Sequence, residues 1–192
     1  MPTRSRFPKS RTALLLVDII NPFDFPGGRA FARRGIRVAR AISKLRDRAT
    51  RGGIPVIYVN DNMGKWRSDV HALVTLCSQP GMPGAPIVEL LKPRPRDYVI
   101  LKATLSGFYQ TPLEAMLRLG GVRTLVITGF AADNCVLFTA ADAYMREYGL
   151  VVPRDCVGAQ TPQALRRALD SMTKLFWAKT DSSTSIRFSR GR

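Results

Sequence analysis

Histidine and cysteine are scarce in this chain of 192 residues, which has one histidine and three cysteines. The cysteines, Cys77, Cys135 and Cys156, are odd in number and show no Cys-x-x-Cys spacing. This pattern argues against a disulfide framework and against a zinc cluster. Because free thiols are typical of a reducing compartment, we expect a cytoplasmic protein.

Long apolar runs and nucleotide-binding motifs are also missing. The apolar segment 13–17 stops at Asp18, far short of a membrane span, and no signal-peptide cleavage pattern follows the basic N-terminus. Neither a Gly-x-x-x-x-Gly-Lys motif nor a Gly-x-Gly-x-x-Gly motif after a strand is present. We therefore expect no membrane partner and no nucleotide cofactor.

Acidic residues are few, since 14 Asp and Glu stand against 30 Lys and Arg, which gives a net charge of +16. The excess is concentrated in residues 29–51, where nine basic residues accompany one acid, whereas residues 52–178 carry thirteen against ten. A nucleic-acid site would explain such a segment. A solvated helix face explains it too, and we favour that interpretation because charge runs are most often simply exposed.

The length suits one domain. Residues 1–11 and 179–192 are basic and polar, and we expect a disordered arm and a disordered tail there. Residues 12–178 are expected to form the folded domain. Within it, residues 60–86 carry several glycines and prolines and are predicted to form a long irregular loop in a pocket wall.

Short apolar strands alternate with amphipathic helices along residues 12–178. This alternation predicts an α/β fold, a three-layer Rossmann-like parallel sheet of five or six strands with helices on both faces. The predicted strands are 12–17, 54–59, 98–101, 125–128 and 150–152, with a last one at 174–178. The predicted helices cover 36–49, 111–119, the segment from Cys135, and 161–172.

Cys135 follows a strand and a tight turn and opens a helix. The amides and the positive dipole end of a helix favour a thiolate, so we expect the pKa of Cys135 to be lowered and the thiol to be reactive. The alternative is an ordinary buried cysteine, since free cysteines are among the most buried residue types.

Two charged residues stand at the ends of other predicted strands. Asp18 follows the first strand and Lys102 the third. Alone, Asp18 could be a helix cap and Lys102 a surface lysine. Parallel strands bring their carboxyl ends to one edge of the sheet, however, where ligands of open α/β sheets bind. We therefore expect both residues to point into one crevice with Cys135.

Three segments carry a family resemblance: LLLVDIINPF around Asp18, VILKATLSGF around Lys102 and VITGFAADNCV around Cys135. In this order they resemble the isochorismatase-like cysteine hydrolases, the superfamily of nicotinamidase and N-carbamoylsarcosine amidohydrolase. The resemblance covers roughly residues 11–178 and departs from the usual Asp-x-Gln-Asn-x-Phe opening at Ile20, which replaces the glutamine. It implies an Asp-Lys-Cys catalytic triad and an isochorismatase-like hydrolase domain.

The chemistry of these three side chains agrees with that implication. Asp18 can take the thiol proton, Lys102 can stabilise the nearby anions, and Cys135 can attack a carbonyl carbon to give an acyl-enzyme. The backbone amides of Cys135 and Ala131 are candidates for an oxyanion hole. The resemblance further implies a cis peptide between Phe130 and Ala131.

The substrate pocket is less well defined by sequence. Phe23, Trp66 and Phe108 are candidates for clamping a flat substrate, although each can equally be a core aromatic. Nicotinamidases carry an Asp-x-His and further histidines after the second strand, whereas this chain has Asn60-Asp61-Asn62 and a lone His71. We therefore predict no catalytic metal, and no cofactor of any kind.

The preferred function is hydrolysis of the C–N bond of a small carboxamide or N-carbamoyl compound, so the partner is a small amide or ureide. Isochorismatase-type cleavage of a vinyl ether is an alternative, but relatives with that activity lack the cysteine. A non-catalytic protein that binds a small molecule or nucleic acid is a further alternative. The resemblance also implies a homo-oligomer, either a dimer or a tetramer.

Overall fold

A computed structural model describes residues 7–67 and 69–188. Its centre is a six-stranded parallel sheet in the order β3-β2-β1-β4-β5. The strand β5 pairs with the first three residues of β4, and the short β6 pairs with the last two. This confirms the predicted α/β class and the parallel sheet. The strands are β1 Thr12–Val17, β2 Val56–Asp61, β3 Tyr98–Lys102, β4 Thr124–Phe130, β5 Gly149–Val151 and β6 Val157–Gly158.

Helices cover both faces of the sheet. They are α1 Gly28–Arg51, α2 Val70–Cys77, α3 Ala85–Leu91, α4 Leu113–Gly120, α5 Cys135–Met145 and α6 Pro162–Phe176. The first three pack with the sheet into one hydrophobic core, and the last three pack into a second core on the opposite face. Residues 13–17 of β1 are buried and enter the two cores alternately, which explains their continuous apolar sequence.

The central strands are in a register that aligns their carboxyl ends. Val17, the last residue of β1, pairs with Val59 of β2 on one side and with Gly129 of β4 on the other. A Cβ atom at Gly129 would lie 2.0 Å from the carbonyl oxygen of Val17, so only glycine allows this approach. The residues that follow these strands therefore meet at one edge of the sheet.

Several predicted boundaries were wrong. The segment 60–86 is not one irregular loop, because it contains α2 and the start of α3. No strand forms at 174–178, since α6 continues to Phe176 and only Lys179 makes an isolated bridge, to Val151 of β5. The two-residue β6 was missed because such a short strand has no readable periodicity.

The expected disorder of the chain ends is also corrected where the structure describes them. Residues 179–188 pack back onto the fold through a 3₁₀ turn, Ser183–Ser185, which is held by Asp155 and by Arg48 of α1. At the other end, Phe7 packs against Tyr98 with ring centroids 4.9 Å apart. Residues 1–6 and 189–192 lie outside the described part of the chain.

Among the residues that the structure describes, no helix is both long and apolar enough to cross a lipid bilayer.

Candidate active site

Asp18, Lys102 and Cys135 lie together at the carboxyl edge of the sheet. The Lys102 Nζ is 2.9 Å from the Asp18 Oδ2 and 3.5 Å from the Cys135 Sγ. Lys102 is the last residue of β3, Cys135 is the first of α5, and Asp18 directly follows β1. Residues separated by up to 117 positions in the sequence are thus in mutual contact, as the strand-end argument predicts.

The backbone at Asp18 turns sharply after β1. Its φ of 48° is in the left-handed region, which aspartate and asparagine tolerate better than most residues. Both carboxylate oxygens are engaged, because the Asp61 amide donates to Oδ1 at 2.6 Å and Lys102 contacts Oδ2. The buried Asn60 side chain accepts from the Ile20 amide at 2.8 Å and so anchors the turn to β2.

Burial dominates the electrostatics of the Asp18–Lys102 pair. It raises the pKa of Asp18, and the ammonium of Lys102 offsets this rise only partly. Burial also acts to lower the pKa of Lys102, but the negative charges of Asp18 and Asp61 and the hydrogen bond to Asp18 act in the opposite direction, and the net shift of the pKa is upward. The lysine is therefore a protonated cation with only 1% of its surface exposed.

Cys135 differs from the expectation in one important respect. Burial, followed by the charge of Asp18 and a hydrogen bond to it, raises the pKa of the Cys135 thiol to about 12. Lys102 acts in the opposite direction but does not compensate. The prediction of a lowered pKa was wrong, because burial, the largest contribution, and the neighbouring Asp18 carboxylate both disfavour the thiolate. The resting side chain is therefore a neutral thiol that needs a base.

Alkylation kinetics test this protonation state. We expect Cys135 to react with iodoacetamide before Cys77 and Cys156, which are both fully buried. Its rate at neutral pH should be below that of an exposed thiol and should still be rising at about pH 11, because the thiolate fraction levels off only above the pKa of about 12. Timed alkylation followed by peptide mass spectrometry measures both effects. A rate that levels off near pH 8 would contradict the raised pKa.

The turn between β4 and α5 presents backbone amides beside the thiol. The peptide bond between Phe130 and Ala131 is cis. The Ala131 carbonyl accepts hydrogen bonds from the amides of Asn134 and Val136, at 3.1 Å each. Within residues 7–67 and 69–188, the amides of Ala131 and Cys135 have no protein acceptor, so they are available to a ligand.

A cavity of about 500 Å³ opens in front of these groups. Asp18, Cys135 and Ala131 form part of its wall, and Phe23 and Asp61 lie beside them. The remaining lining residues are mainly apolar side chains and short polar ones: Asn21, Pro22, Asp24, Phe25, Phe31, Met63, Lys65, Leu76, Phe130 and Asn134. The cavity is large enough for a small organic molecule.

Of the three predicted aromatic contacts, only Phe23 reaches this cavity. It packs edge-on against Phe31 and Phe130, at centroid distances of 5.3 and 5.5 Å, so it both lines the cavity and belongs to the core. Trp66 is 78% exposed and lies outside the cavity lining. Phe108 belongs to the core on the other face of the sheet and packs under Arg146. Hydrophobic periodicity could not predict the positions of Trp66 and Phe108, because both residues lie in irregular segments.

Asp61 is a site residue that sequence reasoning assigned only to a loop. As the last residue of β2 it lines the cavity, and its Oδ2 is 3.6 Å from the Lys102 Nζ. The strand-end rule that selected Asp18 would have selected Asp61 had β2 been extended by two residues. His71, by contrast, is exposed on α2.

No group of three or more His, Cys, Asp or Glu side chains that could hold a metal occurs in the described ranges 7–67 and 69–188. Independence from metals and cofactors remains a prediction.

The sequence matches the family model of the isochorismatase domain over residues 12–184. It is 35% identical over 178 residues to an uncharacterized isochorismatase family protein, YaaI, of Bacillus subtilis, covering 93% of this chain and 97% of that protein. It is also 33% identical over 188 residues to the ureidoacrylate amidohydrolase RutB of Methylobacterium radiotolerans, covering 82% of this chain and 70% of the relative.

Solved structures agree with the sequence comparison. The N-carbamoylsarcosine amidase of Thermoplasma acidophilum superposes with a TM-score of 0.71 at 32% identity, covering 93% of this chain and 99% of that one. The resemblance inferred from the three motifs is confirmed and extends over most of the chain.

Proposed function

Because the chain belongs to the isochorismatase family of hydrolases, we propose that it hydrolyses the C–N bond of a small carboxamide or N-carbamoyl compound through a cysteine thioester. One observation carries the proposal. The Lys102 ammonium contacts both the Asp18 carboxylate and the Cys135 sulfur at the wall of a cavity of about 500 Å³. A nucleophile, a base and a cation in contact at a cavity are the components of covalent acyl transfer.

The first half of the reaction forms the acyl-enzyme. As the Cys135 sulfur attacks the carbonyl carbon, its proton passes to Asp18, whose raised pKa makes it a stronger base than an ordinary aspartate. Lys102 stabilises the negative charge that moves between sulfur and carboxylate. The protonated Asp18 then returns the proton to the leaving nitrogen, and a thioester and an amine or ammonia result.

The second half regenerates the thiol. Asp18 takes a proton from water, the resulting hydroxide attacks the thioester, and the carboxylic or carbamic acid departs as the sulfur regains the proton. The oxyanion of each tetrahedral intermediate is assigned to the amides of Ala131 and Cys135, which have no acceptor among the described residues. The cis peptide precedes the first of these amides.

The proposed substrate class is inferred from the names of similar proteins and from the size and lining of the cavity. Ureidoacrylate and N-carbamoylsarcosine, named as substrates of two similar proteins, both carry an N-carbamoyl group. A compound of that size suits the cavity, and Phe23 supplies an apolar wall for its organic part. Trp66 and Phe108 are not proposed to bind the substrate, because Trp66 is exposed outside the cavity and Phe108 lies in the core on the other face of the sheet.

Ammonia release from a panel of small carboxamides and N-carbamoyl compounds tests the function. Either substrate type yields ammonia, directly or by breakdown of the carbamate. We expect turnover of at least one panel member, with kcat/KM in the range of about 10⁴ M⁻¹s⁻¹ or more for a good substrate. Cleavage of the isochorismate vinyl ether without release of ammonia from any amide would contradict the proposal.

We also propose a homo-oligomer. Its support is the exposure of large apolar side chains, including Trp177 at 77% and Met145 at 69%. Sedimentation of the purified protein as a monomer would contradict it.

A further inference from the structure

The exposed surface of helix α1 is entirely basic. Every exposed residue between Gly28 and Arg51 is an arginine or a lysine. These residues are Arg29, Arg33, Arg34, Arg37, Arg40, Lys44 and Arg51. The proposed hydrolysis uses none of them, so the basic segment noted in the sequence needs an explanation of its own.

Five of these cations form one row, which we call the α1 cationic stripe: Arg33, Arg37, Arg40, Lys44 and Arg51. Successive members are three, four or seven residues apart, which places them on the same side of the helix. At 1.5 Å per residue the stripe is about 27 Å long. Arg48 continues the row but is partly buried, where it donates to the carbonyl oxygens of residues in the C-terminal segment.

The protein itself does not neutralise this charge. Within the described residues, no member of the stripe forms an ion pair. The only acid of the helix, Asp47, pairs with Arg94 at 2.6 Å. Asp155, which borders the stripe, is occupied by hydrogen bonds from Ser183 at 2.6 and 2.7 Å. Like charges at such spacing repel one another, and a polyanion would remove that repulsion.

We propose that the α1 cationic stripe binds the phosphate backbone of duplex DNA. A straight row of cations is complementary to a duplex, which carries about one negative charge per 1.7 Å of its axis. Four of the five members are arginines, whose guanidinium groups bind phosphate oxygens in pairs. Phosphate contacts carry no base-sequence information, so we expect the affinity to vary little with the sequence of the duplex.

An anionic membrane fits this surface less well. Helices that lie in a lipid interface insert an apolar face beside their basic one. The large apolar side chains of α1, among them Phe31, Ile42 and Leu45, are buried against the sheet, so none is left to enter the lipid.

The stripe and the active site are separate. Phe31, near the start of α1, lines the cavity, and the stripe extends from Arg33 toward the other end of the helix. None of the five stripe residues lines the cavity, so binding at the stripe does not require Asp18, Lys102 or Cys135. The inference does not depend on the proposed hydrolysis and can be tested in the absence of a known substrate.

Fluorescence anisotropy of a labelled duplex of about 20 base pairs, titrated with the full chain between 50 and 200 mM salt, tests the stripe. We expect log K to fall with log salt with a slope of about −4 to −5, about −0.9 for each phosphate contacted. The triple variant Arg37→Gln, Arg40→Gln, Lys44→Gln should reduce the steepness of the slope by about 2.7 and weaken binding at least tenfold at 50 mM salt.

The matched control removes the same charge from another helix. Arg166, Arg167 and Lys174 are exposed on α6, and their replacement by glutamine should change binding at 50 mM salt less than threefold. Circular dichroism verifies that both variants fold. Equal weakening by the two triple variants would overturn the proposal, since net charge alone would then explain the binding. Tighter binding to single-stranded RNA or to anionic lipid vesicles than to the duplex would overturn it as well.

Discussion

Replacement of Cys135 by serine is expected to lower kcat/KM for ammonia release by at least about 10⁴-fold. The substitution exchanges one atom and keeps the side chain's size, so the cavity and the Asp18–Lys102 contact are retained. A hydroxyl is a far weaker acid than a thiol, and the surroundings that raise the pKa of the Cys135 thiol to about 12 disfavour an alkoxide even more. Initial rates on the best substrate of the panel measure the loss.

The control for this variant is Cys156→Ala. Cys156 is a fully buried thiol that does not line the cavity, so its removal should leave kcat/KM within about threefold of the original while lowering stability slightly. Retention of more than a tenth of the activity by Cys135→Ser would show that the sulfur is not the nucleophile. A thioester trapped by acid quenching and detected by mass spectrometry in the original protein, and missing in the serine variant, would support its role directly.

Replacement of Lys102 by methionine is expected to lower the free energy of unfolding at pH 7 by about 3–5 kcal/mol. Methionine keeps an unbranched chain in the buried space but removes the ammonium that contacts Asp18 at 2.9 Å. Asp18, only 5% exposed, then retains the Asp61 amide but has no cation to offset its burial. Urea denaturation followed by circular dichroism measures the difference in unfolding free energy.

The loss of stability caused by Lys102→Met is expected to depend on pH in one direction. Lys102 lowers the pKa of Asp18, so its removal raises that pKa further above the value in the unfolded chain. A carboxyl with a raised pKa in the folded state stabilises that state at low pH and loses this contribution as pH rises through the folded pKa. The stability deficit of Lys102→Met should therefore narrow as the pH is lowered from 7 to about 5.

A surface lysine provides the comparison. Lys92 pairs with Glu89 at 2.9 Å, but both side chains are more than half exposed, so Lys92→Met should cost no more than about 1 kcal/mol. If the free energy of unfolding of Lys102→Met were also within 1 kcal/mol of the original value, the buried Asp18–Lys102 ion pair would not stabilise the fold as its geometry indicates.

The alternation of apolar strands and amphipathic helices determined the fold class without the structure. Burial on both faces requires continuous apolar runs such as β1, and parallel strands require crossovers long enough for helices. Since the carboxyl ends of such strands share an edge, the convergence of Asp18, Lys102 and Cys135 could be predicted from their positions in the sequence. Local patterns sufficed because each strand end is a local feature.

Only the tertiary structure decided how these residues behave. The pKa of Cys135 is raised because its burial and its proximity to Asp18 outweigh the effect of Lys102, and none of these contributions is visible in the segment around the cysteine. The same limit explains the exposure of Trp66, the burial of Phe108 in the opposite core and the packing of residues 179–188 onto α1. Each depends on contacts between segments distant in sequence, where hydrophobic periodicity carries no information. The chain's own pattern determined where the strands end, and the packing of those distant segments determined the charge, exposure and surroundings of the side chains there.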